Sequence, residues 1–204
     1  MRQSLSIIAY AALALSACQP VAEEAATTEA PTVTSDIPEP DLKAEQLATA
    51  EDMIDAFYSF DPEQLKPLLE TAGDSQKRLL FYQGWAEGGN YKIVNRGACA
   101  ETETNVYACP ITVEDDAVLA LGTDFKVTDI FTLTFDGPNI SKVETSSNDQ
   151  PIYYQAAEWV RETMPEVMEG PCQGFFDGGP TPGDCARAMV DGYRKFAASE
   201  DFPG

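Results

Sequence analysis

Histidine is absent from all 204 residues. With it go the commonest general base, the commonest metal ligand and every Ser-His or Cys-His nucleophile pair. Basic residues are scarce: 13 Lys and Arg stand against 34 Asp and Glu, a formal net charge of −21. A phosphate backbone needs clustered Lys and Arg, so nucleic acid is excluded as a partner class. The same acidity keeps the body of the protein off anionic lipid headgroups. Beyond the N-terminal stretch that ends at Ala17, no segment is apolar for long enough to cross a bilayer. There is no internal repeat.

What is present starts with Arg2, an apolar run from Leu5 to Leu15, and the small residues Ser16 and Ala17 in front of Cys18. Charge, length and cleavage-site size together read as a secretory signal. The box Leu15-Ser16-Ala17-Cys18 resembles the lipobox of bacterial lipoproteins at every position. That resemblance implies removal of residues 1–17, a diacylglyceryl group on the Cys18 thiol and a further chain on its freed amine. Several chains together hold a protein stably where one does not, so a membrane of the cell envelope is the expected partner of Cys18. Gln19, rather than aspartate, after the cysteine favours the outer membrane, with the domain in the periplasm or at the cell surface.

Residues 18–41 are Ala, Thr, Glu, Val and Pro with no aromatic, a composition that cannot bury enough apolar area to order itself and that reads as an extended tether. Residues 42–150 read as an α+β domain and 151–204 as a helical extension. A first helix is expected from Leu42 to Phe60, burying Leu47, Ala50, Ile54, Phe57 and Tyr58 at helical spacing. Asp61 and Pro62 are a helix start signal for a short helix carrying Leu65, Leu68 and Leu69. A third helix begins at Asp74 or Ser75, carries Leu79, Leu80, Tyr82, Gln83 and Trp85, and ends at Gly88-Gly89.

Strands are expected at Tyr91–Ala100, Val106–Val113, Phe125–Phe135 and Ile140–Ser146, forming an antiparallel meander with the Asp136–Asn139 turn between the last two. Along the third, Phe125, Val127, Phe131, Leu133 and Phe135 share one face. Helical spacing returns from Pro151 to Met168, with Tyr153, Ala156, Trp159, Val160 and Thr163 as the buried stripe and Pro165 as a break. A last helix aligns Ala186, Met189, Val190, Tyr193, Phe196 and Ala197.

An exported chain with five cysteines has one left over, and lipidation of Cys18 accounts for it. Cys99 and Cys109 lie equally far from Thr104, so a hairpin of that register sets them face to face. Cys172 and Cys185 close a loop rich in Gly and Pro, where a bridge contributes about 3 kcal/mol in the chain-entropy model. Neither pair has C-x-x-C spacing, so both read as structural disulfides of an oxidising compartment.

Helix, short helix, helix and then a meander resembles the NTF2-like fold, which includes SnoaL-like proteins and ketosteroid isomerase. The closest local match is the stretch from Asp129 to Gly137 followed by Ile140 and Val143, which is similar to the final hairpin of that group. The resemblance spans Ala44 to Asp149 and implies N-terminal helices packed on a curved antiparallel sheet, with a cone whose open end holds an acid or base. It places Tyr58 and Asp129 near such a pocket. The early strand that carries the base in isomerase-like members has no clear counterpart here.

Asp129 is also notable without the resemblance, because it shares the parity of Phe125, Val127 and Phe131. It either points inward and is raised in pKa by burial, or is turned to solvent by a bulge or strand end, or pairs with a Lys or Arg. Tyr82, Trp85 and Trp159 are either core residues or the lining of a ligand pocket. Glu114-Asp115-Asp116 and the Asp177–Asp184 loop lack the calcium-loop pattern and read as solvated turns, so neither a metal nor another cofactor is expected. The functional expectation is a lipid-anchored envelope module, non-catalytic, that binds a small apolar ligand or a protein partner. Two alternatives remain: an NTF2-like acid–base enzyme using Asp129 and Tyr58, and a structural or assembly lipoprotein.

Overall fold

Asp41 is the N-cap of the first helix, accepting a hydrogen bond from the Lys43 backbone N–H with its carboxylate. From there α1 runs over Leu42–Tyr58, α2 over Pro62–Leu68 and α3 over Asp74–Gly88. Asp61 caps α2 and Pro62 occupies its first turn, where a missing N–H costs nothing. The structure, a computed structural model, describes residues 41–174 and 183–203. The signal, Cys18, nearly all of the tether and the loop from 175 to 182, with Asp177, lie outside the described residues.

Strands β1 (Lys92–Arg96), β2 (Ala100–Glu103), β3 (Val106–Glu114), β4 (Val127–Asp136) and β5 (Asn139–Ser147) form one antiparallel sheet, curved and unclosed, with β3 and β4 central and β5 at an edge. β1 and β2 both pair with β3, one beside each half of it. The single strand expected over Tyr91–Ala100 is therefore interrupted. The break lies at Gly97, whose N–H bonds the Pro110 carbonyl and whose Cβ, if present, would meet the Pro110 ring at 2.7 Å. Pro110 has no N–H of its own to give the ladder.

The β2–β3 turn is tighter than the expected Glu101–Asn105 region, because pairing continues to Glu103 opposite Val106 and only Asn105 adopts a positive φ of 61°. Ala100 faces Ala108 in this register, and one step further out Cys99 is bridged to Cys109. Gly137, at φ 57°, starts the two-residue turn between β4 and β5.

Alternation on β3 and β4 sends Tyr107, Cys109, Ile111 and Val113, then Val127, Phe131, Leu133 and Phe135, to one face. Helices α1–α3 cover that face with Ala50, Met53, Ile54, Phe57, Leu65 and Leu79. Each large side chain buried there contributes about 1.5–3 kcal/mol. Leu47, expected inside, is 38% exposed, whereas Gln46 is fully buried. The reason is polar: Gln46 Nε2 donates to Asn105 Oδ1 and to the Gly137 carbonyl, tying α1 to both hairpin turns.

A second cluster joins α4 (Asp116–Ala120), α5 (Pro151–Thr163), α6 (Pro165–Glu169) and α7 (Gly183–Ala197) through Ala117, Ala156, Val160, Val167, Met189, Val190, Tyr193 and Phe196. Within it Cys172 and Cys185 form the second disulfide. Thr163, expected in the stripe, is exposed at the end of α5. Helix α7 packs on α3, α4 and α5. Two close approaches position it: a Cβ on Gly88 of α3 would lie 2.2 Å from the Gly183 carbonyl oxygen, and one on Gly192 would lie 2.4 Å from Val160 of α5. The two disulfides fit an oxidising, exported environment. Among the described residues no helix is long and apolar enough to cross a membrane.

Candidate functional site

Asp129 sits third in β4, directly between Ile111 of β3 and Ser147 of β5. Its neighbours in the strand alternate regularly, with no bulge, so its side chain falls on the buried face, and it is 2% exposed. The inward orientation is thus the one that occurs. Its polar partners are tyrosines rather than a lysine or arginine. Tyr58, at the end of α1, donates to Asp129 Oδ2 at 3.4 Å, and the Tyr82 hydroxyl of α3 bonds the same carboxyl. The first contact is long for an O–H···O bond.

Burial is the main cause that raises Asp129 to about 6; the tyrosine bonds pull the other way, and the negative charges of Asp149 and Asp115 add to the rise. Tyr58 is pushed well up from its ordinary value by burial first and by the Asp129 charge second. Burial likewise raises Tyr82 and Tyr91.

Asp129 lines a cavity of about 390 Å³ that opens between the two hydrophobic clusters. Helix α3 contributes Phe81, Tyr82 and Trp85; β5 contributes Thr145, Ser146 and Ser147; α5 and α7 contribute Tyr153, Ala157, Met189 and Tyr193. Tyr91 and Asp149 complete the interior, and Tyr154, which is 59% exposed, stands on the lining with Arg161. The Tyr154 hydroxyl donates to Asp149 Oδ2 at 3.4 Å, and Arg161 pairs with Glu158.

Of the residues singled out in the sequence, Asp129, Tyr82 and Trp85 meet on this cavity. Tyr58 reaches it through Asp129 rather than by lining it. Trp159 follows the packing alternative: its indole N–H donates to Asp201 at 2.8 Å and its ring packs on Phe196, so it braces the C-terminal segment and does not line the cavity.

The acidic run is a correction. Asp115 is 2% exposed and caps α4, accepting from the Val118 N–H at 2.7 Å; Glu114 pairs with Lys126 and Asp116 accepts from Asn90. Burial raises Asp115 to about 6 against the opposing pull of its backbone bonds. Among the described residues no three His, Cys, Asp or Glu converge on a metal position.

Tyr91, Asp149, Tyr153, Arg161 and Tyr193, also on the lining, are not associated with a site in the sequence. Tyr153 and Tyr193 carried a signal, helical spacing, but it speaks only of packing. Compared with protein-family profiles, with curated proteins and with solved structures, the chain matches none.

Proposed function

We propose that this chain is an exported envelope lipoprotein, anchored through Cys18 to the outer membrane, whose folded part binds a small molecule in the cavity beside Asp129. The cavity carries the reading. A purely structural module would fill the space between its two clusters with Leu, Phe and Trp, whereas here about 390 Å³ stays open, walled by aromatic rings with a few convergent polar groups. That combination is the usual form of a ligand site. The lipobox and tether support the anchored part of the proposal, and the two disulfides are consistent with export.

The pairing of Asp129 with tyrosine hydroxyls favours a second reading, acid–base chemistry of the NTF2-like kind. A carboxyl raised to about 6 is poised to take a proton from a bound substrate and return it, with Tyr58 and Tyr82 orienting it. The segment between α2 and α3 holds no strand to carry the base of isomerase-like members, so Asp129 would have to serve.

Native mass spectrometry of the full chain, purified without denaturant, tests the first reading. A retained small molecule is expected, and a clean apo protein counts against tight binding. Deuterium uptake from heavy water into a panel of enolisable ketones tests the second, with no uptake above an Asp129→Asn control counting against catalysis.

A further inference from the structure

We infer that the ligand of the cavity beside Asp129 carries an organic ammonium group rather than being a neutral apolar molecule. The inference rests on the small-molecule reading of the cavity and narrows it to a chemical class.

The walls come first. Phe81, Tyr82, Trp85, Tyr91, Tyr153 and Tyr193 all lie on the lining. Aromatic faces carry negative quadrupole potential and attract a cation within about 6 Å, tryptophan best of all. Carboxylates supply the second argument. Asp129 and Asp149 share the lining, and the neighbouring charges that act on Asp129, those of Asp149 and Asp115, have its own sign. Among the described residues the one basic side chain on the lining is Arg161, which pairs with Glu158 and also acts on Tyr193.

A neutral apolar ligand would leave the Asp129 charge with its tyrosine bonds alone and set nothing of opposite sign against it or against Asp149, and a buried charge without an opposite charge beside it is costly. An anion would add like charge to the cluster. A metal ion would find aromatic rings where it needs oxygen ligands, and among the described residues no metal-ligating group of three converges. An alkylammonium or arylalkylammonium ion satisfies both wall types at once, its positive head against the carboxylates and its carbon body against the rings. The net charge of −21 also raises the local concentration of cations around the protein.

Two sources carry this chemistry, a free amine and an aminophospholipid headgroup. Calorimetric titration of the full chain near neutral pH with phenethylammonium, and separately with neutral 2-phenylethanol, tests the class. The ammonium ion is expected to bind at least about tenfold more tightly, since a partly desolvated cation–aromatic contact together with a carboxylate is of that order. Asp129→Asn should abolish the preference; Asp149→Asn, at a half-buried position that tolerates change better, should reduce it. Equal or tighter binding of 2-phenylethanol would overturn the ammonium assignment and leave the cavity reading standing. No heat from either probe would overturn both. If phenethylammonium binds, displacement by phosphatidylethanolamine vesicles and not by phosphatidylglycerol vesicles supports the assignment with a lipid as source, and retention against both supports it with a free amine.

Discussion

The Tyr58 hydroxyl and the Asp129 carboxylate stand 3.4 Å apart, although 71 residues separate them in the chain. The contact joins the last turn of α1 to the inner face of β4, at the place where the apolar core gives way to the cavity. A buried carboxyl held by phenols is a costly arrangement for stability, and its cost is measurable.

Asp129 has its proton affinity raised from 3.8 to about 6 on folding, and Asp115 likewise. The folded state therefore binds protons more tightly than the unfolded chain between those values. Stability contributed by the two groups is fullest near pH 4, declines as pH rises to about 6 and is level above that. Replacing Asp129 by the isosteric, uncharged Asn should stabilise the protein by about 1–3 kcal/mol near neutral pH and give little gain near pH 4. Urea unfolding at both pH values checks this. A loss of stability at neutral pH would mean that the phenols fully compensate the charge.

Gly192 lets α7 lie against α5, because a Cβ there would sit 2.4 Å from Val160. Gly192→Ala should cost about 1–3 kcal/mol through overpacking. It should also disturb the adjacent Tyr193, a cavity wall, so that ligand affinity falls along with the thermal midpoint. An unchanged midpoint would show that α7 shifts freely on its neighbours.

The Cys99–Cys109 bridge spans a sequence separation of 10 and the Cys172–Cys185 bridge one of 13. Chain entropy assigns each about 3 kcal/mol. Paired Cys→Ser replacements should each lower the unfolding free energy by about that amount, and intact mass before and after reduction should differ by four hydrogens. No mass change would remove both bridges from consideration.

Cys18→Ser tests the anchor. The parent protein should fractionate with membranes and the variant should not, because no other segment past the signal is apolar enough to hold it. Retention of the variant on membranes would show another attachment.

Much of this fold is legible in the residues themselves, where the governing physics is local. Asp61 and Pro62 announce α2 because capping and a fixed φ act within one turn. The period-2 pattern of β4 gives Asp129 the parity of the buried residues but leaves open whether a bulge or a basic partner turns it outward, which only the regular pairing with β3 and β5 decides. The facing of Cys99 and Cys109 follows from counting outward from Thr104. What could not be read depends on partners far along the chain. Gln46 displaces Leu47 from the interior because two hairpin turns, more than fifty residues away, present an amide acceptor and a carbonyl to it. Asp115 passes for a solvated acid until α4 is seen to start on it. The cavity draws its walls from α3, Tyr91, β4, β5, α5 and α7, and the spacing that reveals a buried face does not reveal whether that face meets another side chain or open space.

The central claim, that this cavity is a binding site, is tested most directly by filling it. Ala157 lines it from α5, so Ala157→Phe places a ring where a ligand would lie. Native mass spectrometry of the full chain and the variant, purified side by side, should show a small-molecule adduct on the parent and none on the variant, with unchanged circular dichroism. The same adduct on both, or no adduct on the parent, would contradict it.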